Sequence, residues 1–257
     1  MTLQQQWVAF STIVTKEVMR FVRIWVQTVL PAMITMGLYF VIFGHLIGSQ
    51  LAPIQGYNYI DYIVPGIILM AIINNSYANV VSSFFSSKFQ RHIEELLISP
   101  MPNYLILLGF VGGGLMRGLV VGVAVTVVAA IFAHLHVHNL LVILIVVMLT
   151  SALFSLGGLI NAAYAKTFDD ISIIPTFVLT PLTYLGGIFY SVDMLPSFWQ
   201  HVSLVNPILY MINLMRYGML GVSDIDVRLA FLIVIGFVVG LYLFALYLLR
   251  KGVGIRH

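Results

Sequence analysis

Five stretches of the chain lack Asp, Glu, Lys and Arg, over residues 24–47, 62–85, 140–163, 171–190 and 229–249, and a sixth, 105–133, is broken only by Arg117. Each predicts a membrane-spanning helix. About 20 apolar residues cross a bilayer, and an ionised side chain at its centre costs at least about 2.5 kcal/mol. A seventh apolar stretch, 194–221, is interrupted by Pro196, Asn206, Pro207 and Arg216. It reads as two short helices dipping into one membrane face, since proline removes a backbone donor that lipid cannot replace. Ahead of the first span, Trp7, Phe10, Val14, Val18, Phe21 and Trp25 alternate with Thr12, Lys16, Arg20, Arg23 and Gln27, both series stepping by three or four. That spacing predicts an amphipathic helix over about 7–23, lying in the membrane interface with tryptophan at headgroup depth. It acts either as a basic anchor or as a transmitter of movement to the first span.

Composition narrows the class. Across 257 residues, 61% are hydrophobic and 8% charged, whereas an ordinary soluble domain carries about a quarter charged residues. Six spans with short loops leave no room for a separate soluble catalytic domain, which excludes most enzyme classes. No catalytic residue is expected on the chain. The absence of cysteine removes thiolate metal sites and cysteine nucleophiles. The charges inform by position: Lys16, Arg20, Arg23, Lys88, Arg91, Lys166, Arg250, Lys251 and Arg256 fall on one side of the predicted topology, against Arg216 and Arg228 on the other. By the positive-inside rule both termini are expected in the cytoplasm. The first twenty residues read as no signal peptide, and residues 1–257 read as one membrane domain without a fixed-period repeat.

Several features carry chemistry. The most charge-dense stretch, 86–102, holds Lys88, Arg91, Glu94 and Glu95 with Ser99 and Pro100 at its end. It predicts a short amphipathic helix, either a solvated loop or a lever that a cytoplasmic partner grips. Gly114, Gly118 and Gly122 form a small-residue series for close helix packing. Beside them Arg117 is either a functional-site residue, the default for an arginine inside a span, or a structural one that snorkels toward the cytoplasmic end or pairs with an acid or carbonyl of a neighbouring helix. Asn75 and Asn79, continued by Ser82, Ser83 and Ser86, and Thr176, Thr180 and Thr183 form polar stripes. Ser151, Ser155 and Gly158 do the same in the fourth span. Such stripes glue helices together or line a path for a partly polar solute. His134, His136 and His138 alternate in a loop with no carboxylate or thiolate nearby, so no metal site is expected. Asp169 and Asp170 are placed to cap the fifth span. No glycine is followed by lysine, so the chain lacks a phosphate-binding P-loop. The scarcity of acids within the spans disfavours ion coupling.

The stretches FVRIWVQTVLPAMITMGLYF (21–40), KFQRHIEELLISP (88–100) and AKTFDDISIIPTFVLTPLTYLGGIFYS (165–191), with LP-x-FW and NP-x-x-Y-x-I over 195–212 and Arg216-Tyr217-Gly218 after them, together resemble the permease subunit of an ABC-2 type exporter. The resemblance runs over essentially the whole chain. It implies an all-α polytopic membrane protein of six transmembrane helices. An N-terminal interface helix, a cytoplasmic coupling helix over 86–102 and an external re-entrant pair over 194–221 would complete it. It further implies a homodimer in the bacterial inner membrane, in contact with membrane lipid and not nucleic acid, bound to two cytoplasmic ABC ATPase subunits that carry the ATP and Mg. Lys88, Arg91, Glu94, Glu95, Ser99 and Pro100 would then couple to the ATPase. Asn75, Asn79, Thr176, Phe177, Thr180, Thr183 and Tyr184 are the candidates to line the substrate pathway. The expected cargo is hydrophobic or amphipathic. An autonomous carrier or channel, or an ATPase-bound scaffold that transports nothing, are the competing readings.

Overall fold

The computed structural model describes residues 1–254; Arg256, counted above among the basic residues, lies outside them. Among the described residues the fold is all-helical, with one isolated bridge between Ile54 and Tyr57. An N-terminal helix α1 (Leu3–Arg23) starts at a Thr2–Gln5 capping box, in which each side chain bonds the other's backbone amide. Five helices are long and apolar enough to cross a membrane: α2 (Trp25–Gln50), α3 (Tyr59–Phe89), α5 (Asn103–Phe132), α6 (Leu140–Tyr164) and α10 (Val227–Lys251). Between them lie α4 (His92–Ile98), α7 (Asp170–Leu185), α8 (Ser197–Leu204) and α9 (Pro207–Leu220).

The stretch expected as the fifth span, 171–190, is the shorter helix α7. It measures about 24 Å at 1.5 Å per residue and ends at Gly186 and Gly187, where φ turns to +80°. Pro175 inside it leaves the carbonyl of Ile171 without its helical donor, and Asn161 Nδ2 of α6 takes that place at 3.1 Å. The expected six spans are therefore five long helices and one short one. The stretch 194–221 is split into α8 and α9, as the prolines dictate, and neither is long enough to cross. α9 is almost entirely buried, while α8 exposes Phe198, Trp199 and Leu204.

The centre of the bundle is α3, packed against α5 and α6 on either side. Close approach depends on glycine. A Cβ at Gly114 would overlap Ser155 and Val80; one at Gly118 would overlap Ser76 and Ser151; one at Gly122 would press on Ile72. α1 also rests on glycines, placing Ile13 on Gly109, Val14 on Gly112 and Glu17 on Gly113. From Tyr104, whose hydroxyl donates to Gln6 Oε1, to Gly113, α1 runs alongside one end of α5. It does not lie flat and clear of the bundle. Its packed side holds Ile13, Glu17 and Phe21, while Trp7 is 67% exposed.

Candidate functional site

Between Asp61 and Ser87 every residue of α3 is buried except Asn74, Asn75, Ala78, Ser82 and Ser86. At about 100° per residue these five share one face about 120° wide. All are polar or as small as alanine. Asn75 Nδ2 and Ser82 Oγ donate back to the Ala71 and Asn79 carbonyls at 3.0 and 3.1 Å, but facing lipid the Asn74 amide and Ser86 hydroxyl would lack partners; the stripe suits a cavity or another protein surface. α7 forms the opposite wall of an open groove of about 430 Å³. Its rim carries Asn74, Ser82, Ser172 and Thr176, and its floor Tyr77, Val81, Pro175 and Leu179.

The sequence-predicted pathway residues divide. Asn75 reaches the open stripe and Thr176 the groove, and Phe177 is 73% exposed. Thr180 is exposed and donates its hydroxyl to the Pro175 carbonyl at 2.9 Å. Thr183 is enclosed, with its hydroxyl on the Leu179 carbonyl at 2.6 Å, and Tyr184 shares a hydroxyl contact with Tyr39 of α2 at 2.8 Å. Asn79 is fully enclosed. Asn74, Ala78 and Ser172 escaped sequence reasoning, although Asn74, Ala78 and Ser82 recur at i, i+4 and i+8.

Behind the stripe lies a charged cluster. Glu17 is 1% exposed; its Oε1 accepts from Ser83 Oγ at 2.5 Å and its Oε2 pairs with Arg20 Nη2 at 3.3 Å. Arg20 Nη2 also donates to the Asn79 side-chain and backbone carbonyls at 2.8 and 2.9 Å, and Nη1 reaches Ser82 Oγ at 3.4 Å. The outward basic face expected for α1 thus loses Arg20, which turns into the bundle. Arg117 Nη2 donates to Asn75 Oδ1 at 3.0 Å. Both residues sit near the midpoints of their helices, so the arginine pairs with a neighbouring helix and does not snorkel to an end.

At the α4 end, the predicted 86–102 helix is confined to His92–Ile98. α3 carries 86–89, Arg91 takes a left-handed φ of 62° that breaks the helix, and the backbone is extended at Ser99 and Pro102. Ile93 anchors α4, fully buried, while Phe89 and Ile98 are 63% and 84% exposed. Arg91, Glu95 and Pro100 are exposed, Glu94 is half-buried, and Ser99 Oγ donates to the Leu96 carbonyl at 2.6 Å. Lys88 points inward: Nζ donates to the carbonyls of Ala163 and Ala165 at 2.7 Å each, and to Ala162 at 3.5 Å. It caps the last turn of α6, where helix carbonyls lack partners. Asp170 does not cap α7. Its Oδ2 accepts from the Lys166 and Thr167 amides at 2.8 and 3.0 Å, and these bonds, Lys166 first, hold its carboxyl below the usual carboxylate range.

The opposite end is tied by Arg216 of α9, counted above among the basic residues of the non-cytoplasmic side and 1% exposed. Nη2 donates to the Gly187 carbonyl at 2.8 Å, Nη1 pairs with Asp224 at 3.4 Å, and the guanidinium lies 4.0 Å from the centre of the Tyr62 ring. Asp224 also accepts from Gln55 Nε2 at 2.6 Å and the Val192 amide at 3.3 Å. His136 and His138 pack edge-on to Tyr57 and Tyr217, and the His134 amide donates to Asp61.

Comparison with known proteins bears on this arrangement. The sequence profile of the ABC-2 type transporter family matches residues 8–220. The chain is 53% identical over 250 residues, 97% of this chain and 98% of the other, to the inner membrane transport permease YadH of Escherichia coli (strain K12). It is 26% identical over 206 residues, 80% of each chain, to nodulation protein J of Rhizobium leguminosarum bv. viciae.

Proposed function

This chain belongs to the ABC-2 type transporter family, and from that premise we propose that it moves a hydrophobic or amphipathic solute out across the inner membrane as one half of a homodimer. It is the permease subunit of an ABC transporter, a multi-pass inner-membrane protein, and its family implies an ABC ATPase as partner. In the proposed assembly two copies of that ATPase hold ATP and Mg and dock at the α4 end, which faces the cytoplasm together with both termini. Arg91, Glu94, Glu95, Ser99 and Pro100 lie at or beside the docking surface. The exposed Phe89 and Ile98 give the same surface apolar anchors, the kind of group that dominates interface energetics. Lys88 contributes by holding α6 to the base of α4.

The observation that carries the proposal is the polar face of α3. In a monomer it would face hydrocarbon. Across a two-fold axis it would meet its own copy around a shared cavity, with α7 as the second wall. Closure of the ATPase pair would push the α4 helices together and rock α3 and α7, so that the cavity opens alternately to either side. Replacing a wall residue without touching the packed side tests this. Ala78→Trp is expected to abolish transport by the permease–ATPase complex reconstituted in vesicles, while co-purification with the ATPase is kept. Transport at wild-type rate in that variant would remove α3 from the pathway.

A further inference from the structure

Two cations and one carboxylate meet behind the open stripe. Glu17 is engaged with Arg20, which leaves Arg117 against the neutral amide of Asn75. The other acids stand elsewhere in the chain: Asp61, Asp193, Asp224 and Asp226 around the Arg216 end, and Glu94, Glu95, Asp169 and Asp170 in the connections at the α4 end. The cluster therefore carries a formal excess of one positive charge near the middle of the bundle. Arg20 Nε, Arg117 Nε and Asn79 Nδ2 are buried donors without partners among the described residues. An unmatched cation at this depth is strongly unfavourable unless it faces water or an anion. Both guanidinium groups lean on the open face, Arg20 through Ser82 and Arg117 through Asn75, and the Arg20 side chain is 31% exposed.

We propose that Arg117 and Arg20 bind the negatively charged headgroup, a phosphate, sulfate or carboxylate, of the amphiphile this permease carries. The inference rests on the reading of the α3 stripe as pathway. The planar guanidinium donors suit oxyanions, and the neighbouring groove supplies what the rest of such a molecule needs. Its Tyr77, Val81, Pro175 and Leu179 floor takes an apolar tail, and its Asn74, Ser82 and Thr176 rim takes hydroxyl or amide groups. Glu17 neutralises Arg20 in the empty state, so a headgroup entering the stripe meets Arg117 as the group in deficit.

The chain has no cysteine, so Asn74→Cys makes a single reporter on the stripe. The permease–ATPase complex carrying it is placed in phosphatidylcholine nanodiscs, and maleimide labelling of this chain is timed against dodecyl phosphate, dodecyltrimethylammonium and inorganic phosphate. Dodecyl phosphate is expected to slow labelling. Arg117→Gln should raise the half-protecting concentration about tenfold, the scale of one lost charge-assisted bond, and Arg117→Lys should keep it within about threefold. Arg20→Gln serves as a second variant, and co-purification with the ATPase reports that each variant folds. Equal protection by the ammonium amphiphile, or no effect of either glutamine variant, overturns the headgroup assignment and leaves the pathway intact. Protection by inorganic phosphate alone would assign the site to a soluble anion. Slow labelling in phosphatidylglycerol discs without additive would assign it to a resident lipid. If no amphiphile protects Cys at this position, the pathway reading fails as well.

Discussion

Arg216 and Arg117 both lie inside the bundle, yet they differ in how completely they are answered. Arg216 has a carboxylate, a carbonyl and an aromatic face around one guanidinium, and it joins α9, the end of α7 and the start of α3. Among the described residues Nε is without a partner in both, but Arg117 has besides it only one amide oxygen and an open polar face. Arg216, held at both Nη atoms and against an aromatic face, is a clasp; Arg117, held at one Nη, is the proposed recognition group. Lys88 stands between them, answered by carbonyls alone at the rim of the bundle.

The comparison is most exposed to failure at Arg216. Arg216→Met leaves Asp224 enclosed without its cation, and breaking a buried pair from one side is expected to lower stability by about 3–5 kcal/mol. Thermal denaturation in mild detergent checks this, with Arg117→Met run beside it as the variant expected to change stability far less. Equal losses in the two would erase the distinction between clasp and recognition group. Gly118→Leu comes next. With Ser76 and Ser151 already against the glycine, overpacking is expected to cost about 1–3 kcal/mol and to draw Arg117 away from Asn75, seen as a lower melting temperature. The smallest effect is expected of Lys88→Met, about 1 kcal/mol from the lost helix cap. Hydrogen exchange at residues 161–165 should quicken while ATPase association holds. Unchanged exchange with weakened association would return Lys88 to the docking surface.

The spans were legible because hydropathy is summed locally. Their approximate positions, the break of 194–221 at its prolines and the short helix near Glu94 follow from residue order. Span length was less legible: residues 171–190 are uncharged throughout, and Gly186 and Gly187 end the helix early. For the site, the polar stripe of α3 was visible but its rotation was not. Asn75 and Asn79 are one turn apart, and the structure opens the first and encloses the second. Arg20 is an instructive miss. In sequence it continues the basic series of Lys16 and Arg23, and nothing local marks it as the residue that turns inward to Asn79.

What residue order determined by itself is how much of this protein lives in lipid and where it enters and leaves, because transfer free energy adds residue by residue. What only the tertiary structure decided is which side of each helix is answered by a neighbour. α3 sets Ser76, Asn79 and Ser83 on its packed side as well as Asn75 and Ser82 on its open one, so no single direction of burial is written into it. Beyond the local pairs Arg20–Glu17 and Arg216–Asp224, the partners come from helices dozens of residues away: Asn75 for Arg117, Asn79 for Arg20, the end of α6 for Lys88.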